Sequence, residues 1–376
     1  MKPGKVTSGA LVLLTAAALA PSLASAQQPT PTVIATGLEA PRGLRFGPDG
    51  ALYVAEAGLG GKNSTAGQCT QVVPPVGPYT GGSSGRISRV KNGQVTTVAS
   101  GFPSAQDAMG DLIGVADVAF LDGNLYALLA GGGCSHGNAN APAAIAKVDR
   151  ASGKWQVIAD LSAFIKKHPA KFESPDDFEP DGTFYSLIAL NGDLLTVEPN
   201  HGQVLSVSRG GTIKQVIDIS ASQGHIVPTS IAAYRGALYV GNLNLFPIDP
   251  QWARILTIAK GDFDDLDLAP GFEQKGPRVV NSKAGFTTVV GVDFGPDGLV
   301  YALELSDGPG FPNVGLGKVV RVKHSGDIEE VVTGLNVPTG MTFAPDGRLY
   351  VSDFGAVPAP AFGIGRILRF DVAGGW

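Results

Sequence analysis

One pattern, repeated six times, limits what this chain can fold into. It is a pair of apolar segments joined by a short turn, and Pro338–Gly355 (PTGMTFAPDGRLYVSDFG) is its clearest copy. Apolar residues alternate or run continuously on both sides of the turn, as in strands that pack between two sheets. The other copies begin at Pro41, Val115, Phe184, Pro228 and Val289. The pattern therefore predicts a series of β-hairpins.

The turn of each copy contains Pro-Asp-Gly or a shortened form of it. Proline presets φ, aspartate bonds nearby backbone N–H groups, and glycine accepts a positive φ. The turn glycines are Gly50, Gly123, Gly192, Gly236, Gly298 and Gly347. Successive glycines are 73, 69, 44, 62 and 49 residues apart. The shorter spacings match a four-stranded propeller blade of about 40 to 50 residues, and the longer ones require inserted loops.

The two ends of the chain complement each other. A third apolar segment follows every copy and a fourth usually comes after it, but copy six ends with only Gly365–Phe370 (GRILRF). Thr32–Thr36 (TVIAT) precedes copy one without a partner there, and it resembles the start of Val331–Pro338, which leads into copy six. We therefore predict an all-β fold, a six-bladed β-propeller closed by the N-terminal strand. A pair of β-sandwiches or an irregular β-solenoid explains six matched units less well.

Residues 1–26 are predicted to be a signal peptide, and residues 27–376 a single propeller domain. Two lysines precede the apolar run Ala10–Ala20, and a small-residue cleavage site ends at Ala26. The apolar run is too short to span a bilayer, which needs about 20 residues. We expect a secreted or periplasmic protein with no membrane span in the mature chain.

The charge of the mature chain disfavours two classes of partner. Removing the two lysines of the signal peptide leaves 26 of the 28 basic residues against 33 acidic ones, a net charge of −7. The sequence contains no basic cluster with interleaved aromatic residues, so we expect no nucleic-acid binding. Anionic membrane surfaces are disfavoured for the same reason. We expect a monomer that binds a small molecule or a protein.

Four long inserts are predicted to lie on one side of the propeller. In this fold the start of the innermost strand and the end of the second strand are on the same side. The inserts occupy these places and are Leu59–Ser84, Gly131–Pro142, Lys166–Thr183 and Leu243–Trp252. We call this side the loop-bearing face and expect the binding site there.

Cys69 and Cys134 are the only two cysteines, and we predict that they form a disulfide. A signal peptide directs the chain to an oxidising compartment, where disulfides persist. The two residues lie in matching inserts of blades one and two, which adjacent blades bring together. The alternative is two free thiols, each in its own loop.

Three stretches of the chain resemble the ScyD/ScyE family. They are TGLEAPRGLRFGPDGALYVAEAG from Thr36, VPTSIAAYRGALYVGNLNLFPID from Val227, and the copy from Pro338. The resemblance covers essentially the whole mature chain, in order. It implies an extracytoplasmic β-propeller, and it brings no established reaction and no agreed catalytic residues. The chain departs from the family at Phe184-Tyr185-Ser186, where Pro-Tyr-Gly is typical.

Polar residues are predicted to form a ring where the second strands end. Five of the six aligned positions are polar, and the sixth is Leu129. The five, which we call the ring residues, are Glu56, Glu198, Asn242, Glu304 and Asp353. Oxygen ligands of this kind bind Ca²⁺, so they are candidate metal ligands. The alternative is that each side chain bonds backbone N–H groups of its own turn.

Glu198, His201 and His225 form a candidate catalytic group on the same face. His201 follows the end of a second strand, and His225 precedes the inner strand of the next blade. Such a group could perform acid–base chemistry or bind a metal. The other histidines, His136, His168 and His324, lie in polar loop sequence, and we expect them to be solvated.

The sequence leaves two classes of function open. One is a binding protein with no established reaction. The other is a propeller enzyme, either a metal-dependent hydrolase of the gluconolactonase type or a quinoprotein dehydrogenase. Lactonase propellers take Ca²⁺ ligands from the starts of inner strands, where this chain has no carboxylate, although Asp117 lies one residue further on. A quinoprotein needs a basic, histidine-bearing pocket, for which we find no specific signature. Ca²⁺ is the one cofactor left open.

Overall fold

The structure is a computed structural model of the 376-residue chain. It describes Met1 and residues 28–259, 277–356 and 363–372. Apart from Met1, the expected signal peptide of residues 1–26 lies outside the described residues. Within the described ranges, no helix is long and apolar enough to cross a membrane.

The residues that the structure describes form six small antiparallel sheets, which correspond to the six sequence copies. The first strand described is β1 (Thr32–Leu38). Blade one contains β2 (Pro41–Phe46), β3 (Leu52–Glu56), β4 (Thr80–Lys91), β5 (Gln94–Gln106) and the short β6 (Leu112–Ile113). Blade two contains β7 (Val115–Leu121), β8 (Asn124–Leu129), β9 (Ala144–Val148) and β10 (Trp155–Asp160). Blade three contains β11 (Ser186–Leu190), β12 (Asp193–Glu198), β13 (Gln203–Val207) and β14 (Ile213–Asp218).

The second half of the ring repeats this arrangement. Blade four contains β15 (Pro228–Tyr234), β16 (Ala237–Asn242), β17 (Ala253–Ala259) and β18 (Arg278–Phe286). Blade five contains β19 (Val289–Phe294), β20 (Val300–Glu304), β21 (Val314–Val322) and β22 (Ile328–Asn336). Blade six contains β23 (Gly340–Phe343), β24 (Leu349–Asp353) and β25 (Gly365–Phe370). Within the described ranges, the helical segments are α1 (Leu161–Lys167), α2 (Ser220–Gln223) and two 3₁₀ turns, Cys134–His136 and Pro175–Asp177.

The N-terminal strand β1 completes blade six. It pairs antiparallel with β25, so that Thr32 lies opposite Arg369 and Leu38 opposite Gly365. The sheet order is therefore β1-β25-β24-β23. The inner strands β2 and β23 are in contact, which closes the ring between blades one and six. The predicted six-bladed propeller closed by its N-terminal strand is confirmed.

The Pro-Asp-Gly turns form as the residue types require. In blade one, Asp49 accepts a hydrogen bond from the Ala51 N–H at 3.3 Å. Gly50 has a φ of 69°, and its N–H donates to the Gly47 carbonyl at 2.9 Å. Because this φ is unfavourable for residues with a Cβ, glycine fixes the place where the chain reverses.

The hydrophobic core lies between neighbouring blades. Inner-strand residues such as Leu44, Val118 and Leu187 are at most 1% exposed and pack against the adjacent sheets. Successive side chains of a strand point to opposite faces. The alternate residues of the inner strands therefore face the central axis, and they decide what the centre of the ring can bind.

Candidate functional site

A cavity of about 380 Å³ occupies the centre of the ring, and all six inner strands line it. Its wall contains small residues, among them Gly43, Gly291 and Gly340. A Cβ at Gly43 would overlap the carboxylate of Asp117. The glycine therefore leaves room for an acidic side chain that the neighbouring strand directs to the axis.

Asp117 is the charged group that blade two contributes to this cavity, and it is 5% exposed. Its Oδ1 accepts the N–H of Val118 and its Oδ2 the N–H of Leu187, both at 2.8 Å. Burial raises the pKa of Asp117 to about 6, against the opposing effects of Arg45 and these hydrogen bonds. The carboxyl can therefore gain or lose a proton close to neutral pH.

Asp293 and Arg45 are the other charged groups of the cavity wall. Asp293 accepts the N–H of Phe294 at 2.8 Å and the N–H of Phe343 at 3.3 Å. Burial raises the pKa of Asp293 as well, although Arg45 opposes the shift. The guanidinium of Arg45 donates to the Leu187 carbonyl, 3.5 Å away in blade three. Among the residues described, no carboxylate oxygen lies within 4.0 Å of its nitrogens.

Tyr185 lies across one end of the cavity. It belongs to blade three, yet its hydroxyl donates to the carbonyl of Thr339 in blade six at 3.4 Å. Burial raises the pKa of Tyr185 to about 12, so its hydroxyl keeps its proton. Beside it, Arg42 bonds the carboxylate of Asp111 at 3.2 Å and the carbonyl of Leu112. The side chains of Tyr185 and Arg42 lie at the start of the inner strands, on the loop-bearing face.

The predicted disulfide is confirmed. Cys69 and Cys134 are bonded, with their Cα atoms 6.3 Å apart, and the bond joins the inserts of blades one and two. The Thr65 hydroxyl adds a hydrogen bond to the Cys134 carbonyl. The two inserts are thereby held against each other on the loop-bearing face.

His136 contradicts the expectation that it is solvated, because it is fully buried beside the disulfide. Its Nδ1 lies 2.7 Å from the Gly132 carbonyl and its Nε2 lies 2.8 Å from Glu179 Oε2. Tyr79 donates to the other oxygen of Glu179 at 3.1 Å. Burial opposes protonation, but the Glu179 carboxylate raises the pKa of His136 above its ordinary value. This group ties three inserts together. His168 and His324 are exposed, as expected.

The ring residues are buried, and none of them lines the cavity. Each bonds the backbone just before the inner strand of its own blade. The partners are the N–H groups of Glu39, Thr183, Thr287 and Asn336, and for Asn242 the carbonyl of Ile226. Arg86 and Arg366 supply further donors to Glu56 and Asp353 at 2.7 and 2.8 Å. The bonds of the ring residues to the backbone agree with the alternative to metal binding, but these partners lie before the inner strand and not in the turn of the ring residue itself.

The candidate catalytic group is only partly brought together. His201 Nδ1 lies 2.9 Å from Glu198 Oε2. Burial opposes protonation of His201, but the Glu198 charge raises its pKa. His225 instead bonds the carboxylate of Asp177 at 2.8 Å. None of the three residues contributes to the wall of the central cavity.

A metal ion finds no ready ligand set in the residues that the structure describes. Within these ranges, no three His, Cys, Asp or Glu side chains are grouped so that they could hold one. In the cavity, Arg45 acts on both carboxylates, and each carboxylate already accepts backbone N–H groups. The cavity also lacks the histidine that a quinone site needs, because no histidine lines the described wall.

Sequence reasoning did not single out Arg45 and Asp293, nor Tyr79 and Glu179. Arg45 and Asp293 occupy the same place in their inner strands, each directly before the phenylalanine that ends the strand. A charged residue at an alternate position of an apolar strand was the available signal for both. Tyr79 and Glu179 lie in or at the edge of long inserts, and no local pattern predicts that they meet.

Comparison with known proteins gives a likeness in fold. No family model matches the chain, and no curated protein matches it. Among solved structures, a protein described as an oxidoreductase (glucose dehydrogenase) from Thermus thermophilus is 16% identical, with a TM-score of 0.56. The match covers 91% of this chain and 99% of that protein.

Two further structures match at similar levels. The calcium-binding protein regucalcin of Agrobacterium tumefaciens is 13% identical over 92% of this chain and 94% of its own, with a TM-score of 0.55. The PQQ-bound aldose sugar dehydrogenase of Streptomyces coelicolor is 13% identical over 90% of this chain and 97% of its own, with a TM-score of 0.51. The chain is therefore a six-bladed β-propeller that shares its fold with these three proteins.

Proposed function

We propose that this protein binds a small, hydroxyl-rich molecule in its central cavity. The observation that carries the proposal is the polar wall of that cavity, where Arg45, Asp117 and Asp293 face one space of about 380 Å³. A guanidinium offers hydrogen-bond donors, and carboxylates offer acceptors. Hydroxyl groups both donate and accept, so a molecule with several of them can satisfy both kinds of wall group.

The cavity also has the size and position of a small-molecule site. Pockets for such ligands usually measure about 300 to 1,000 Å³ and combine apolar walls with a few polar groups. Here Phe46, Phe120 and Phe294 contribute apolar surface at the ends of their strands. The backbone N–H groups that hold Asp117 and Asp293 fix both carboxylates before a ligand arrives, which reduces the entropy lost on binding.

Three six-carbon polyols that differ in charge test this proposal: gluconate, sorbitol and glucamine. We expect calorimetry to detect binding of at least one of them to the wild-type protein. Ala189 is exposed at the cavity wall, so Ala189→Trp should fill the opening and abolish binding. Ala151→Trp, at an exposed turn of blade two, is the matched control and should bind as the wild type does. Failure of all three probes to bind, or equal binding by Ala189→Trp, would refute the proposal.

A second candidate function is hydrolysis in the same cavity, with Asp117 as general acid or base. Its pKa of about 6 favours this function, because proton transfer is most efficient when the catalytic pKa is near the working pH. Hydrolytic activity against lactones and esters that Asp117→Asn abolishes would support the enzyme. If the wild-type protein binds polyols but hydrolyses none of these substrates, binding remains as the only function supported.

A calcium requirement would belong to this second candidate, with the ring residues as the ligands that the sequence left open. Because each ring residue is already bonded within its own blade, we expect EDTA and added Ca²⁺ to leave the melting temperature unchanged. A ligand that binds only the native state raises that temperature. A rise with Ca²⁺ that Glu304→Gln removes would contradict this expectation and establish the ring as a metal site.

We further propose that the protein is an exported, monomeric member of the ScyD/ScyE group, with residues 27–376 as one domain. The sequence motifs from Thr36, Val227 and Pro338 and the Cys69–Cys134 disulfide support this assignment. Export predicts that the mature protein begins at Gln27, which N-terminal sequencing of the protein from its native host would determine. A mature protein that still begins at Met1 would contradict it.

A further inference from the structure

Arg45 differs from the two carboxylates of the cavity in its hydrogen bonding. Most of its N–H donors have no acceptor among the described residues, whereas both oxygens of each carboxylate accept hydrogen bonds. A guanidinium carries five N–H donors. Arg45 makes one hydrogen bond among the described residues, a long one of 3.5 Å to the Leu187 carbonyl. Its side chain is only partly buried and contributes to the cavity wall. The remaining donors are therefore available to a molecule in the cavity.

The two carboxylates near Arg45 already have hydrogen-bond partners for their oxygens. Both oxygens of Asp117 accept backbone N–H groups, and so do both oxygens of Asp293. Neither carboxylate forms an ion pair with Arg45 in the part of the chain that the structure describes. Among the charged groups of the cavity wall, the guanidinium of Arg45 is therefore the one whose hydrogen-bonding groups lack partners in the described residues.

We propose that the ligand of the central cavity carries a carboxylate, which pairs with the guanidinium of Arg45. This inference rests on the proposed binding function and narrows its ligand to a hydroxy acid or a similar small organic acid. The planar guanidinium matches a carboxylate through two parallel N–H···O bonds, a geometry that lysine does not offer. The long bond to the Leu187 carbonyl places the guanidinium beside blade three at the cavity wall.

The other titratable groups of the cavity wall predict how acid affects this binding. They are Asp117, Asp293 and Tyr185. Tyr185 stays neutral, because burial raises its pKa to about 12. Burial raises the pKa of both aspartates, that of Asp117 to about 6. Their negative charge, which repels an anionic ligand, therefore diminishes as the pH falls.

The same three polyols test the inference, because they share a hydroxylated chain and differ in charge. We expect gluconate to bind at least about tenfold more tightly than sorbitol or glucamine. Arg45→Lys should weaken gluconate binding on the order of tenfold, and Arg45→Met should abolish it, because both lose the paired bonds. Sorbitol binding should weaken less than gluconate binding in both variants, because a hydroxyl group cannot accept the two parallel N–H···O bonds. Gluconate affinity should also rise as the pH falls from about 8 to about 5.

Arg209→Lys and Arg209→Met are the matched controls, because that arginine is exposed and pairs with Asp122 outside the cavity. They should bind gluconate as the wild type does. Should Arg45→Met fail to fold, Arg45→Lys and the pH series decide the question. Sorbitol or glucamine binding as tightly as gluconate, with Ala189→Trp blocking all three, would overturn the carboxylate inference and leave the binding function standing. Unchanged gluconate affinity in Arg45→Lys would also overturn it.

Discussion

Asp107 and Asp149 each accept a hydrogen bond from the backbone N–H two residues further on, yet their surroundings shift their pKa values in opposite directions. Asp107 accepts the N–H of Met109, and Asp149 accepts the N–H of Ala151, each at 2.9 Å. Burial and the neighbouring charge of Asp111 raise the pKa of Asp107 to about 7. The Ser152 hydroxyl lowers the pKa of Asp149, which is exposed. Residue type alone therefore does not decide the charge of a turn aspartate.

Asp107→Asn is expected to stabilise the protein at about pH 8. The folded state binds this proton more tightly than the unfolded state, so the ionised carboxylate opposes folding. The penalty is complete above about pH 7 and disappears as the pH falls to about 4. Since Asp107 is only partly buried, we expect a gain on the order of 1 kcal/mol rather than the full linkage value.

Urea unfolding at about pH 8 and about pH 4 measures this gain. Asp149→Asn is the matched control, and it should bring no gain at the higher pH, because its carboxylate is favoured in the folded state. An equal gain in both variants would mean that burial of Asp107 is not the cause.

At the scale of elements, strand β1 is an edge strand with one buried and one exposed face. Leu38 is 0% exposed, whereas Val33 in the same strand is 50% exposed. Leu38 belongs to the core cluster that blade six shares with blade one, together with Leu44 and Ile367. The strand therefore contributes to two blades through its buried face.

Leu38→Ala is expected to cost about 2 to 5 kcal/mol of unfolding free energy, because it leaves a cavity between two blades. Val33→Ala, the control in the same strand, should change stability by less than about 0.5 kcal/mol. Denaturant unfolding of both variants measures the difference. Similar losses at the two positions would show that β1 does not pack as described.

The disulfide also acts at the scale of elements. It joins two inserts that are otherwise connected to their blades only at the two ends of each insert. Cys69 and Cys134 are 65 residues apart in sequence. Replacing both by alanine should cost about 4 kcal/mol in the chain-entropy model, less any strain that the bond imposes. Thermal melting with and without reductant measures the loss. A melting temperature of the double variant that matches the oxidised wild type would contradict this prediction.

For the whole molecule, closure of the ring depends on the pairing of strands from the two ends of the chain. Strand β1 lies at the outer edge of blade six, and the strand that it covers, β25, is the last one described. Without β1, blade six would keep three strands and expose the edge of β25 to other chains. Ring closure therefore serves both stability and solubility.

Deletion of the chain through Leu38 should cost several kcal/mol, more than Leu38→Ala, because a whole strand and its buried surface are lost. Adding a peptide of residues 28–40 should raise the melting temperature of the truncated protein, since it binds only the folded state. A scrambled peptide of the same composition is the control. A truncated protein that melts like the full chain would show that β1 is not needed to close the ring.

The sequence by itself determined the number of blades, the strand that closes them and the disulfide. Each of these depends on local patterns, such as the alternation around Met341, the turn at Gly347 and the orphan strand Thr32–Thr36, or on simple counting, as for Cys69 and Cys134. Strand periodicity and turn chemistry act over a few residues, so they can be read without knowing the rest of the fold.

Only the tertiary structure decided which charged residues share a space. Arg45, Asp117 and Asp293 come from blades one, two and five and meet because the ring closes. Contact between two inserts buries His136 against Glu179, and Glu56 and Asp353 bond within their own blades. Burial and distance between remote segments set these contacts and the pKa of Asp117, and neither quantity is encoded in any short stretch of sequence.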